Sequence, residues 1–228
     1  MVRYAIIVAG GSGLRLGTEI PKQFIPVAGK PLLMHTINAF SGFNPEIKII
    51  LVLPGNYITY WEQLCSQYNF TANYWVAQGG ITRSDSVKNG IELISDQEAL
   101  VAIHDGARPF VDRQTISKGF ELAQKTGAAV PSGELTDSAR IIENEQNEPI
   151  DRNKIRTVQT PQCFLLSIIR NAYNEAKTCS FTDDASLVNN CGHQVHLYAG
   201  NPENIKITTP LDLLIAEAIL RNKHQSDI

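Results

Sequence analysis

A short apolar run, Tyr4-Ala5-Ile6-Ile7-Val8, leads directly into Ala9-Gly10-Gly11-Ser12-Gly13, with Arg15 just beyond and Pro21-Lys22-Gln23 soon after. Glycines let backbone N–H groups approach an anion closely and turn together as a concave nest. Arg15 and Lys22 then stand where they could neutralise charge building up on phosphorus. The chemistry these residue types suggest is binding of a polyphosphate and transfer at one of its phosphorus atoms.

Two commoner phosphate loops do not fit. A P-loop ends its glycine run in Gly-Lys-Ser/Thr, whereas Gly13 is followed by Leu14-Arg15. A dinucleotide fingerprint needs a third glycine where Leu16 stands, and an acid near the end of the second strand, where Pro54-Gly55 is found. Further polar motifs follow: Gly79-Gly80 with Arg83-Ser84-Asp85-Ser86-Val87, then His104-Asp105-Gly106-Ala107-Arg108-Pro109. After these come Asp151-Arg152, Gln159-Thr160-Pro161-Gln162, Thr182-Asp183-Asp184-Ala185-Ser186 and Asn204-Ile205-Lys206-Ile207-Thr208.

The elements that must hold these motifs read as alternating strands and helices. Apolar strand runs occur at Tyr4–Val8, Lys48–Leu53, Tyr74–Ala77, Leu100–His104 and Ala128–Val130. Between them, Leu33, Ile37 and Phe40, then Val87, Ile91 and Ile94, then Ile116, Phe120 and Ala123 recur at helical spacing, and Gly127 stands where a C-cap belongs. This pattern predicts an α/β, Rossmann-like, mostly parallel sheet with helices on both faces. Ligands gather at the carboxyl ends of such strands, where the glycine loop and the His104–Pro109 loop both fall.

From about Glu134 to Val158 the alternation breaks. Ser138–Ile142 reads as a strand, Glu143–Glu148 as a polar turn and Lys154–Val158 as the returning strand, a protruding β-hairpin arm. So polar a hairpin must lean on something, either a partner subunit or its own domain. A helix over Leu165–Ala176, strands at Val195–Tyr198 and Asn204–Thr208, and a last helix opening at Thr209-Pro210-Leu211-Asp212 complete a single domain spanning 1–228.

The 228 residues are 43% hydrophobic and 19% charged, with a net charge of −3, an ordinary globular balance with no electrostatic footprint for nucleic acid or an acidic membrane. Cys65, Cys163, Cys179 and Cys191 form no C-x-x-C pair and read as reduced thiols. His193 and His196 lack zinc-site neighbours and read as surface residues. The N-terminal apolar run is too short for a signal peptide, and no segment spans a bilayer, so a cytoplasmic protein is expected.

Taken in order along essentially the whole chain, these motifs resemble the 2-C-methyl-D-erythritol 4-phosphate cytidylyltransferases of the non-mevalonate isoprenoid pathway. The resemblance implies a homodimeric transferase that joins CTP to methylerythritol phosphate and releases pyrophosphate. It implies that Arg15 and Lys22 are catalytic, stabilising the crowded α-phosphorus. Ala9, Gly10, Gly11, Ser12 and Gly13 would hold the CTP phosphates, Gly80 and Ser86 would read the cytosine, and Arg83 and Gly106 would complete the nucleotide site. Asp105 would sit near the ribose and Mg²⁺, or another divalent cation bound mainly through CTP phosphates. Arg152 and Lys206, with Ser138, Thr160, Thr182 and Arg108, would position the second substrate. A phosphate monoester is largely dianionic at neutral pH, so no general base is required.

The chain departs from the family pattern in small ways: Ala9-Gly10-Gly11 stands where many relatives have Ala-Ala-Gly, Ser138 where Thr is common, and Ile81 where the residue is often acidic. Ribitol 5-phosphate cytidylyltransferases are the nearest alternative. Asp151-Arg152 and Thr182–Ser186 match the methylerythritol enzymes better.

Overall fold

The computed structural model describes residues 1–11, 20–175 and 181–226. Ser12, Gly13 and Arg15 therefore lie outside the described residues, as do Ala176, the expected end of a helix, and Cys179. The alternating part runs β1 (Val2–Val8), a small hairpin of β2 (Pro26–Val27) and β3 (Lys30–Pro31), α1 (Leu32–Phe43), β4 (Lys48–Leu53) and α2 (Ile58–Gln67). It continues with β5 (Trp75–Gln78), α3 (Arg83–Glu92), β6 (Ala99–Asp105), α4 (Arg113–Thr126) and β7 (Ala128–Glu134).

The continuous apolar character of β1 has a direct cause: the strand is covered on both faces. Ala5 and Ile7 pack with Leu33, Ile37 and Phe40 of α1, Trp61 of α2 and Phe120 of α4. Tyr4, Ile6 and Val8 point the other way, toward Val87 and Ile91 of α3. Successive side chains of a strand alternate faces, so only a run apolar at every position satisfies both layers. Gly127 caps α4 with φ 92°, a left-handed conformation that its missing Cβ allows.

The second half comprises β8 (Ala139–Glu143), β9 (Gln146–Ile150), β10 (Arg156–Val158), β11 (Gln162–Leu165), α5 (Leu166–Glu175), α6 (Asp184–Asn190), β12 (His196–Ala199) and α7 (Pro210–Ser226). In the main sheet β5, β4, β1 and β6 are parallel neighbours, and β11 lies antiparallel between β6 and β7. β10 continues along the same edge of β7, while β12 pairs parallel with the opposite edge. The sheet is thus mostly parallel, with α1, α2 and α4 on one face and α3, α5 and α6 on the other.

Two expectations require correction. The strand that returns against β8 is β9, not Lys154–Val158, which as β10 pairs with β7 instead. The turn is only Asn144-Glu145, both at positive φ (46° and 67°), as a two-residue hairpin turn of matching twist requires. Asn204–Thr208 is irregular and pairs with no strand among the described residues. Its Ile207 N–H donates to the Ala107 carbonyl at 2.9 Å, and the Thr208 N–H donates to the Asp212 carboxylate at 2.7 Å. The arm made by β8 and β9 forms its own two-stranded sheet with nearly every residue exposed, so it does not fold back onto its domain.

His193 is exposed, but His196 is half-buried in β12. Cys65, Cys163 and Cys191 carry free thiols. Among the described residues no helix is long and apolar enough to cross a membrane.

Candidate active site

β1 and β6 lie side by side, with Val8 opposite Asp105, so the loops leaving both strands emerge together at the carboxyl edge. The Gly106 N–H donates to the Val8 carbonyl at 2.8 Å and stitches the two loops. A Cβ on Gly106 would lie 2.9 Å from that of Ala9, so this approach requires glycine. On the other flank the Ala9 N–H donates to Val52 and the Gly79 N–H to Leu53, aligning the ends of β4 and β5 with the same edge.

A cavity of about 300 Å³ opens there, lined by Ala9, Gly10, Gly11, Lys22, Arg83 and Asp105, among others. Lys22 begins a short 3₁₀ turn, Lys22–Phe24, that its two neighbours fix. Gln23 is buried and donates to the Ala9 carbonyl at 2.7 Å, and Phe24 sinks into an aromatic cluster of Tyr57, Tyr60 and Trp61. The Lys22 ammonium donates to the Ile207 carbonyl at 3.0 Å, at the cavity wall.

The opposite wall is the start of α3. Thr82 and Asp85 cap it reciprocally, each side chain accepting the other's backbone N–H at 3.0 Å. The Ser86 hydroxyl donates to Thr82 and accepts from the Gly80 N–H at 3.1 Å, drawing Gly80 inward. A Cβ on Gly80 would fall 2.3 Å from that of Asp85, so the loop closes only around glycine. Ile81, fully exposed, stands at the rim.

Asp105 is the electrostatic centre. Lys206 lies 2.9 Å from its carboxylate, Arg108 3.4 Å and Arg83 3.5 Å. Burial works against its charge, but Lys206 and Arg83, with Arg108 behind them, outweigh that and hold the carboxyl well below the usual range. Lys206 reaches it from the irregular segment that the Ile207–Ala107 bond pins beside the loop. Arg108 also donates to the Asn204 carbonyl at 2.8 Å, so one guanidinium braces both loop and segment.

Beneath Asp105 lies His104, wholly buried, its pKa pushed down to about 4 by burial. Its Nε2 is 2.9 Å from the Arg108 carbonyl, which can only accept, so the neutral ring carries its proton on that nitrogen. Nδ1 then accepts from the Thr160 hydroxyl at 3.0 Å, and that hydroxyl accepts the Asp105 N–H at 3.1 Å. Thr160 thus sits under the site and holds the backbone of Asp105.

The remaining candidates are elsewhere. Ser138 and Arg152 are exposed on and beside the arm, where Arg152 donates to the Thr136 carbonyl. Thr182 is exposed just before α6. Arg15, Ser12 and Gly13 fall outside the described residues. Sequence reasoning missed Gln23 as the clamp on the glycine loop, and missed Asp184, which holds Arg83 from behind, and Tyr173, which donates to Asp184. It also missed the Thr82–Asp85 capping box, although its spacing is the usual signal for one.

Comparison with known proteins agrees with this geometry. Residues 3–222 match the family model described as IspD: 2-C-methyl-D-erythritol 4-phosphate cytidylyltransferase. A relative of that name from Phocaeicola vulgatus is 48% identical over 220 residues, covering 96% of this chain and 100% of the relative. Among solved structures, the 4-diphosphocytidyl-2C-methyl-D-erythritol synthase of Anaerococcus prevotii superposes with a TM-score of 0.83 at 29% identity, covering 96% of both chains. The 2-C-methyl-D-erythritol 4-phosphate cytidylyltransferase of Thermus thermophilus gives 0.79 at 33% identity, covering 95% of this chain and 98% of that one. The chain belongs to the 2-C-methyl-D-erythritol 4-phosphate cytidylyltransferase family.

Proposed function

We propose that this chain transfers the cytidylyl group of CTP to 2-C-methyl-D-erythritol 4-phosphate and releases pyrophosphate, with the nucleotide lying in the cavity between the glycine loop and Gly80. The observation that carries this reading is the meeting of the Gly10-Gly11 backbone, Lys22 and the Asp105 charge cluster at one sheet edge, in a member of this family. Backbone amides of the glycine loop receive the triphosphate. The rigid Gly80–Ser86 turn faces the base, and Asp105 faces the ribose.

The methylerythritol phosphate oxygen attacks the α-phosphorus in line, the bond to the departing pyrophosphate breaks, and no proton needs to be removed from the dianionic nucleophile. Catalysis is then positioning and charge stabilisation. Lys22, joined by Arg15, offsets the negative charge of the five-coordinate phosphorus. Lys206 and Arg108 hold the incoming phosphate ester, and Thr160 acts through Asp105 by fixing its backbone. Pyrophosphate release should require CTP and methylerythritol phosphate together, with other NTPs and ribitol 5-phosphate far poorer. Equal turnover of ribitol 5-phosphate would overturn the assignment.

The divalent cation enters with the nucleotide. Among the described residues Asp105 is the one carboxylate lining the cavity, and no cluster of three or more metal-ligating residues exists. That donor set fits Mg²⁺ held mainly by phosphate oxygens and water. When bound, the ion neutralises phosphate charge. Calorimetry on the nucleotide-free protein should therefore detect no Mg²⁺ site tighter than about 1 μM; such a site would refute a nucleotide-borne ion.

The second substrate site is completed by a partner subunit in a homodimer. Support comes from the arm: Ile141 and Ile142 are exposed on its opposite faces, and Ser138 and Arg152 stand clear of their own cavity. An isolated two-stranded hairpin is marginal in water and needs a cover. A two-fold exchange of arms would give two equivalent sites.

A further inference from the structure

Asp184 is a buried carboxylate for which the capping of its own helix has no use. Asp183, one residue earlier, caps α6 by accepting from the Ser186 N–H at 2.9 Å, and its other oxygen accepts from Gln162 at 2.7 Å. Asp184 is 1% exposed, yet its oxygens are spent on two side chains from other elements. Oδ2 accepts from Arg83 Nη2 at 2.8 Å, and Oδ1 accepts from the Tyr173 hydroxyl of α5 at 2.6 Å. A carboxylate withdrawn from water is costly unless both paired and hydrogen-bonded, so these three groups form one unit.

Arg83 stands between two acids at unequal distances. Its short, hydrogen-bonded contact is to Asp184, while Asp105 lies 3.5 Å from Nε. A guanidinium beside a single carboxylate favours a bidentate, close pairing. Lys206 and Arg108 both approach Asp105 Oδ2; released from Asp184, Arg83 would settle onto Asp105 and occupy Oδ1, the oxygen they leave. We infer that Asp184 and Tyr173 are positioning residues for the nucleotide, holding Arg83 back so that Oδ1 of Asp105 stays open to the ligand in the cavity. Tyr173 stays protonated and can keep donating, because burial, and then the Asp184 charge, raise its pKa far above the ordinary phenol. The inference rests on the placement of CTP proposed above.

The test is a double-mutant cycle on the full-length chain, read by equilibrium CTP binding and by steady-state kinetics. Tyr173→Phe removes one hydroxyl and should weaken CTP binding roughly 3- to 10-fold, and Asp184→Asn more, with kcat within about 3-fold of wild type. In an Arg83→Ala background, itself weaker in CTP binding, Tyr173→Phe should change binding less than about 1.5-fold, because the group it serves is gone. An equal effect of Tyr173→Phe in both backgrounds would overturn the inference, as would unchanged CTP binding in Tyr173→Phe beside a weakened Arg83→Ala. If Arg83→Ala binds CTP as wild type does, the placement of the nucleotide falls, and the inference with it. Should Asp184→Asn fail to fold, the Tyr173→Phe cycle decides alone.

Discussion

Lys22→Ala is expected to lower kcat by roughly 10³-fold, by analogy with arginines that stabilise charge in phosphoryl transfer. That factor corresponds to about 4 kcal/mol of transition-state stabilisation. CTP affinity should change only a few-fold. The argument is geometric. Lys22 is fixed by Gln23 and Phe24, which anchor the turn it begins, and its ammonium meets the Ile207 carbonyl at 3.0 Å, at the wall of the cavity beside Gly11. A cation so placed contributes most when the phosphorus acquires its fifth oxygen, because charge is then most concentrated. The same loss is expected of Arg15→Ala from the family resemblance. Single-turnover measurements separate the chemical step from binding. If kcat held within a few-fold while only KM rose, Lys22 would be a ground-state contact and this mechanism would be wrong.

The second large effect is a recovery of activity. Arg152→Ala and Lys22→Ala chains, each nearly inactive alone, should regain activity when mixed. If Arg152 serves the neighbouring subunit, a heterodimer has one site carrying both defects and one carrying neither, so it should approach half the activity of a wild-type dimer. If Arg152 serves its own chain, every site keeps one defect. The arm motivates the first outcome: Arg152 is exposed near its base, where its guanidinium donates to the Thr136 carbonyl and not to its own cavity. Persistent inactivity, with subunit exchange verified by mass spectrometry, would falsify the shared site.

Where a residue's surroundings were local, its structure was legible in the sequence. β1 and β4 are covered on both faces, which demands unbroken apolar runs. Gly10, Gly11, Lys22 and Asp105 stand out on short motifs, and the structure brings all four to one cavity. The arm misled because both its faces are exposed, so Gln146-Asn147-Glu148 shows no alternation and reads as turn although it is strand. β11 escaped notice because its four residues follow Pro161 and open on Gln162, whose amide is spent on Asp183. Asn204–Thr208 alternates like a strand, yet its polar groups go to Arg108 and Asp212, and only the fold brings those near. The hold of Asp184 on Arg83 joins residues 101 positions apart, beyond the reach of any local pattern.

The crowding of cations around Asp105 bears on traffic as well as on chemistry. Lys22, Arg83, Arg108 and Lys206 outnumber Asp85, Asp105 and Asp184 at one edge of a chain whose net charge is −3. Charge is thus segregated, with a positive hollow set in an acidic body. Field lines focused by such a hollow draw polyanions in and lose strength as salt is added. The same attraction acts on the departing pyrophosphate, which carries more negative charge than the cytidylyl group it leaves behind. An electrostatic well that hastens the arrival of a triphosphate therefore also delays the exit of the inorganic product.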